Sequence, residues 1–163
     1  RYSSPTGGQC IGTAVTRKAY SSANIIDLYV LQKATVNQLQ RATVEYKVNI
    51  IEDLKKYKML TDEVNVVDGL IRTVDLVVTV YSDEAFRDLE EGIKISVAAL
   101  IGNYFSYASL SFGEAFSPQH LNRLIYDIDE VRYSTVDNIK ETIIPQFNEV
   151  IQLNNLTTNI EFV

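Results

Sequence analysis

Apolar residues recur at three- and four-residue spacing through the first part of the chain, in a stretch between Gly12 and Gly69 that contains no glycine or proline. This spacing is typical of an amphipathic helix, because it places the apolar side chains on one face. It predicts a first helix from about Ser22 to Leu60, which would be roughly 58 Å long at ~1.5 Å per residue. Such a length favours an elongated bundle over a compact enzyme domain.

Two further helix starts follow at hydroxyl residues. Thr61 and Ser82 each precede a pair of acidic residues. A capping oxygen accepts hydrogen bonds from the first-turn amides, and acidic side chains suit the positive end of the helix dipole. We therefore predict a second helix over about 61–81 and a third over about 82–112. The β-branched residues in 73–80 leave a strand open as the alternative for that segment.

The last predicted helix begins at Ser117, which precedes Pro118. A hydroxyl cap followed by proline is favoured at a helix start, because the first helical residue needs no amide hydrogen. Gly113 predicts a break before this helix, and Pro145 predicts a kink or interruption near its end. The sequence thus predicts an all-α fold. It would be an elongated antiparallel bundle of about four main helices over 21–153, with an irregular N-terminal arm (1–20) and an extended C-terminal tail (154–163).

Nineteen uncharged residues from Ile95 to Gly113 lie between Lys94 and Glu114. They approach the length of a membrane span, but the serine, asparagine and tyrosine residues among them make insertion unfavourable. We expect a central bundle helix rather than a stable membrane span, with binding of a lipid or apolar small molecule as the alternative. Gly102 would allow a neighbouring helix to approach closely. The candidate residues for packing or for an apolar ligand are Ala98, Gly102, Tyr104, Phe105, Ser106, Tyr107, Phe112 and Phe116.

Charge is divided unevenly along the chain. Residues 1–60 hold nine Lys and Arg against four Asp and Glu, a net charge of +5, whereas residues 61–163 have a net charge of −11. The two parts could complement each other within one molecule, between molecules joined head to tail, or with an anionic partner. The overall net charge of −6 disfavours nucleic-acid binding. The candidate basic interaction face consists of Arg41, Lys47, Lys55, Lys56 and Lys58.

Two residues are candidates for covalent modification. Cys10 is the only cysteine and lies in a stretch rich in glycine and serine, so we expect an accessible thiol that stays reduced or forms an intermolecular disulfide. Asn155 begins an Asn-Leu-Thr glycosylation sequon. The chain also starts at Arg1 rather than Met. The sequon and the start at Arg1 favour a secreted protein or one at the extracellular surface.

No motif for catalysis, metal binding or nucleotide binding occurs in the sequence. The only histidine, His120, is expected to be a surface or capping residue. We therefore expect a non-enzymatic interaction protein that needs no cofactor and binds a protein partner or itself. The alternatives are a self-assembling structural subunit, such as a filament or coat protein, and a carrier of lipid or another apolar ligand.

Overall fold

The computed structural model describes residues 2–3, 8–18, 24–57 and 62–163. Of these residues, 44% are in strands and 28% are helical. The protein is therefore a strand-rich fold with two sheets and three α-helices, and the predicted all-α helical bundle is wrong.

Along the described chain, four strands precede the first helix, two strands separate it from the next two α-helices, and two strands follow. Their bounds are β1 Tyr2–Ser3, β2 Gln9–Lys18, β3 Asn24–Lys33, β4 Leu39–Gln40, α1 Val44–Leu54, β5 Asp62–Asp68, β6 Leu70–Ser82, α2 Glu90–Tyr104, α3 Pro118–Tyr126, β7 Val131–Val136 and β8 Glu149–Phe162. A short 3-10 helix, Glu84–Leu89, leads directly into α2.

The first sheet is organised around β3. Strand β2 pairs with it antiparallel along one side, and β1 continues the sheet beyond β2. On the other side, β5 pairs parallel with residues 24–30 of β3, and β4 pairs antiparallel with its last two residues. Helix α1 covers one face, where Tyr46 and Ile50 pack with Val30.

The chain passes from the first sheet to the second at Gly69, between β5 and β6. The Gly69 amide donates to the Val30 carbonyl of β3, whereas the next amide, of Leu70, donates to the Asn148 carbonyl at the start of β8. Strand β6 is then the centre of the second sheet, with β7 antiparallel on one side and β8 parallel on the other.

The main core lies between the second sheet and two helices. Leu76, Val78 and Val80 of β6 pack against residues of α2 and α3, including Val97 and Leu121. Phe105 and Phe116, after α2 and before α3, are each 2% exposed in the same core. The alternate residues of β6, β7 and β8 form a second face of this sheet, which we call the outer face.

The predicted first helix is helical only in part, and the predicted second helix is replaced by strands. Residues 24–33 of the predicted first helix form β3, and only Val44–Leu54 is helical. The predicted second helix is β5 and β6, which is the alternative that the β-branched segment 73–80 left open. The physical reason is that β-branched side chains pack well on a buried sheet, and tertiary contacts override a helical spacing in short apolar runs. Thr61, the proposed cap, lies outside the described residues.

The helix start predicted at Ser117 and Pro118 is confirmed, whereas α2 ends at Tyr104, before the break predicted at Gly113. The Ser117 hydroxyl accepts a hydrogen bond from the His120 amide, and Pro118 is the first residue of α3. Gly113 has a φ of +71°, in the left-handed region that favours glycine. Helix α3 ends at Tyr126, however, well before the predicted kink at Pro145.

Both ends of the described chain are strands. Residues 9–18 of the predicted irregular arm form β2, and the predicted tail at 154–163 belongs largely to β8. An extended conformation for 154–162 is confirmed, but the segment is paired with β6 along its length and is not a separate tail.

Candidate functional site

Most of the outer edge of β8 is unpaired within the described part of the chain. Strand β8 has 14 residues and pairs only with β6. Near its start, the Glu149 carbonyl accepts from the Gly113 amide, and the Gln152 side chain accepts from the Leu39 amide. Within the described residues, no such contact is made along the outer edge from Asn155 to Phe162, which we call the free edge segment.

The free edge segment lacks the features by which natural sheets usually protect their edges, which include lysine, proline and short length. Glu161 is its only charged residue. By contrast, β7 has six residues, carries Arg132 and is paired through a bulge beside Ser82. The edge strands of the first sheet carry charged residues as well, such as Arg17 on β2 and Glu63 on β5.

A bulge fixes the start of this segment. The pairing shifts between Val74 and Asp75, so that Asn154 is the additional residue on β8. The Asp75 carboxylate accepts from the Asn154 side chain at 2.9 Å and from the Asn155 amide and side chain at 3.1 and 3.0 Å. These three hydrogen bonds hold the sequon residue Asn155 in an exposed position on the outer face.

The segment has two chemically different faces. Its odd-numbered residues, Asn155 to Glu161, are exposed on the outer face, in register with β6 residues from Asp75 to Tyr81. Its even-numbered residues, Leu156 to Phe162, are half-buried on the face that carries α2 and α3. The apolar side chains of the free edge segment are thus only partly covered within one molecule.

A second candidate site is a partly open cavity of about 110 Å³ beside the end of α2. Its lining residues are Tyr104, Phe105, Ser109, Leu110, Ser111, Glu114, Ala115, Phe116 and Ile151. Three of the predicted candidate residues, Tyr104, Phe105 and Phe116, therefore lie together on one cavity. Burial, and then the negative charge of Glu114, raise the pKa of Tyr104 above its ordinary value.

The other predicted apolar candidates lie elsewhere. Ala98 is exposed on α2, and Ser106 is near its end, within 3.3 Å of the Ser109 hydroxyl. Tyr107 donates to the Cys10 carbonyl, and the Phe112 ring packs over Gly69. Gly102 makes no close helix contact, because a Cβ added there would be 3.7 Å from Asn37 and farther from other atoms.

The predicted basic residues do not form one uniform face. Lys47 pairs with Asp68 of β5 at 2.8 Å, and Lys56 pairs with Asp53 at 3.7 Å. Arg41 and Lys55 are exposed, and Lys58 lies outside the described residues. The Lys47 pair joins the basic and acidic parts of the chain within one molecule, which is the first of the three arrangements expected from the sequence.

The expectation of an accessible thiol at Cys10 is wrong. Cys10 is in β2 and only 2% exposed, because it packs beneath α1 beside Tyr46 and Val30. An intermolecular disulfide would require this layer to open. The composition around Cys10 indicated a loop, but the alternating strand pattern of β2 places its side chain inward.

The described residues hold no group of three or more His, Cys, Asp and Glu side chains placed to bind a metal ion. Within the same residues, the helices are too short or too polar to cross a membrane. His120 is exposed near the start of α3, as expected, with its ring centroid 6.1 Å from that of Tyr104.

Sequence reasoning did not identify the free edge segment as a site. The signal was present, since residues 150–160 contain no charge, no proline and no glycine. What the sequence did not reveal was that this segment is an edge strand, because the pairing of β8 with β6 joins residues 80 positions apart. The chain matches no model of a known protein family and no curated protein.

Proposed function

We propose that the protein is a non-enzymatic interaction protein that associates with itself through the free edge segment of β8. The observation that carries this proposal is the eight-residue unpaired edge, which leaves backbone amides and carbonyls available to a further strand. Strand addition at an exposed sheet edge is a common mode of recognition, since main-chain hydrogen bonds supply much of the affinity.

The sequence of the segment is self-complementary when two copies pair antiparallel about a two-fold axis at Thr158. Residues opposite each other then have their side chains on the same face. On the outer face, Thr157 lies opposite Asn159 of the second copy, and Asn155 lies opposite Glu161. On the other face, Leu156 lies opposite Ile160 of the second copy. Each of these half-buried side chains thereby gains an apolar neighbour.

This register avoids placing like charges opposite each other. Shifting the axis to Asn155 would put Glu149 opposite Glu161, which is unfavourable. Moving the axis by half a residue changes the register by one residue. Each residue of the outer face would then lie opposite a residue of the other face, as after a one-residue slip in any sheet. A two-fold contact also uses the same surface on both copies and therefore closes as a dimer.

The test is a charge exchange at the exposed pair. In one chain Thr157→Lys and Asn159→Lys are combined, and in another Thr157→Glu and Asn159→Glu. In the proposed register each double variant opposes like charges twice, so we expect both to be monomeric where the native chain is dimeric. Mixing the two variants should restore a dimer that contains one copy of each, measured by sedimentation velocity and native mass spectrometry.

A matched control carries the same added charge away from the edge. Ser96 and Ala98 are exposed on α2, so the Ser96→Lys, Ala98→Lys chain should remain dimeric. A native chain that stays monomeric at high concentration would contradict the proposal. So would lysine and glutamate variants that each dimerise alone.

Secretion is a separate part of the proposal and is supported by the exposed sequon at Asn155. If the chain is made in a eukaryotic secretory host, its intact mass should rise by the mass of a glycan, and Asn155→Gln should remove the increase. Because Asn155 lies in the free edge segment, self-association through this segment is proposed for the chain without a glycan, and the glycosylated chain is expected to be monomeric. A dimer formed by fully glycosylated chains would show that the contact lies elsewhere.

A further inference from the structure

The cavity beside α2 combines aromatic walls with an acidic rim. The Tyr104 ring lies at 69° to that of Phe105 and at 78° to that of Phe116, with centroid separations of 5.0 and 6.1 Å. The planes of Phe105 and Phe116 differ by 37°. The three rings therefore pack against one another and together form one aromatic wall of the cavity.

The electrostatic character of the cavity is negative. Glu114 is its only charged lining residue. Within the described residues, the Glu114 side chain makes no ion pair with Lys, Arg or His and no hydrogen bond, whereas Lys94, twenty residues earlier, is paired with Glu90. The raised pKa of Tyr104 has the charge of Glu114 as its second cause, which is consistent with a carboxylate close to the cavity.

We propose that this cavity binds a small organic cation of the alkylammonium class, such as a methylated amine. A cation within about 6 Å of the face of an aromatic ring is attracted by the quadrupole of the ring, and groups of aromatic residues bind quaternary ammonium ligands in this way. Glu114 adds direct charge attraction at the rim. The ligand's methyl groups contact Leu110 and Ile151.

The size of the cavity selects the head group rather than a long chain. Typical ligand pockets measure about 300–1,000 Å³, whereas this cavity measures about 110 Å³. Apolar cavities of about 150 Å³ bind benzene. A trimethylammonium group is smaller than benzene and fits, whereas a lipid acyl chain does not.

The experiment compares two probes of the same shape. Choline and 3,3-dimethylbutan-1-ol differ only in the atom that carries the three methyl groups, which is a positive nitrogen in one and a neutral carbon in the other. We expect choline to bind with a Kd at least about tenfold lower than that of the alcohol, measured by NMR titration at low salt. A second readout is the Tyr104 phenol, whose pKa should fall when a cation binds beside it.

Variants assign the effect to individual residues. Glu114→Gln should raise the Kd for choline by about three- to tenfold and leave the Kd for the alcohol unchanged. Glu141 is exposed in a different loop, so Glu141→Gln is the matched control and should change neither. Tyr104→Phe keeps the ring and should keep choline binding, whereas Tyr104→Leu should weaken it.

If Tyr104→Leu fails to fold, Ala115→Leu provides a second test. Ala115 is exposed and lines the cavity, so a larger side chain there should occupy the cavity and weaken binding of both probes. Equal affinity for choline and the alcohol would overturn the proposal, as would the absence of choline binding. An equal effect of Glu114→Gln and Glu141→Gln would overturn the role of Glu114.

Discussion

At the scale of single residues, Gly69 is the most closely packed glycine of the described residues. A Cβ added there would lie 2.5 Å from one atom of the Phe112 ring and 3.0 Å from Leu31. The sequence indicated Gly102 instead, because glycine within a helix suggests a close contact. Caps such as Ser117 could be predicted because they depend on adjacent residues, whereas the contact at Gly69 depends on a ring 43 positions away.

Gly69→Ala should therefore lower the free energy of unfolding by about 1–3 kcal/mol, since a methyl group must displace the Phe112 ring or the backbone. Denaturant unfolding measures this change. Gly92→Ala is the control, because nothing lies within 4 Å of a Cβ added there. Alanine in that helix should instead be neutral or stabilise by up to about 1 kcal/mol. A neutral Gly69→Ala variant would show that Phe112 moves aside at little cost.

The Tyr104 phenol gives a second prediction at this scale. Burial is the larger cause of its raised pKa, and the charge of Glu114 is the smaller. Glu114→Gln should therefore lower the pKa of Tyr104 without restoring its ordinary value. Ultraviolet titration, with Tyr104→Phe as the reference that removes this one phenol, measures the change. An unchanged pKa would place the Glu114 carboxylate away from the ring.

At the scale of elements, Asp137 joins β6 to β7 at the end of their pairing. Its carboxylate accepts from the hydroxyl groups of Thr79 at 2.6 Å and Thr135 at 2.8 Å, and its amide donates to the Val77 carbonyl. The hydrogen bond from Thr79, followed by that from Thr135, lowers the pKa of Asp137 below its ordinary value. The charged carboxylate is thus preferred in the folded state.

A lowered pKa means that this contribution to stability is present above the unfolded-state pKa of about 3.9 and is lost as the pH falls through the folded-state value. Asp137→Asn should be destabilising at pH 7, and the difference from the native chain should shrink below about pH 4. Urea unfolding at several pH values tests this. Asp129→Asn, at an exposed carboxylate, should show no comparable change. If the loss of stability in Asp137→Asn did not change with pH, the shape of the side chain, and not its charge, would account for its contribution to stability.

The elements themselves were predictable only in part. The start of α3 was found because the Ser117 cap and Pro118 act locally, whereas Ser82, the cap predicted for the third helix, is the last residue of β6, and α2 begins only at Glu90. Strand β6 was assigned to a helix because both of its edges and much of one face are buried, which replaces a simple two-residue alternation with a nearly continuous apolar run. In β8 the alternation of apolar and polar residues is visible in the sequence. Which strand pairs with β8, and which of its edges stays unpaired, depends on the assembled sheet.

At the scale of the whole molecule, the two parts of opposite net charge offer a rival route to association. Head-to-tail contacts between them would weaken as salt rises, because exposed charges more than ~8 Å apart are screened at physiological ionic strength. Pairing through the nearly uncharged free edge segment should instead persist from low to high salt. Sedimentation velocity over this range separates the two routes. The double variant Lys55→Glu, Lys56→Glu should also remain dimeric. A dimer that dissociates at high salt or in this variant would favour head-to-tail association of the oppositely charged parts.

The parallel pairing of β6 with β8 also governs when the protein can fold during synthesis. Asp75 and Asn155 are 80 positions apart, and closing so long a loop costs entropy before the contact forms. Until residues 149–162 have left the ribosome, β6 has one edge without its partner and an apolar face incompletely covered. The nascent chain therefore passes through a stage in which its most apolar strand is exposed to chaperones and to other nascent chains.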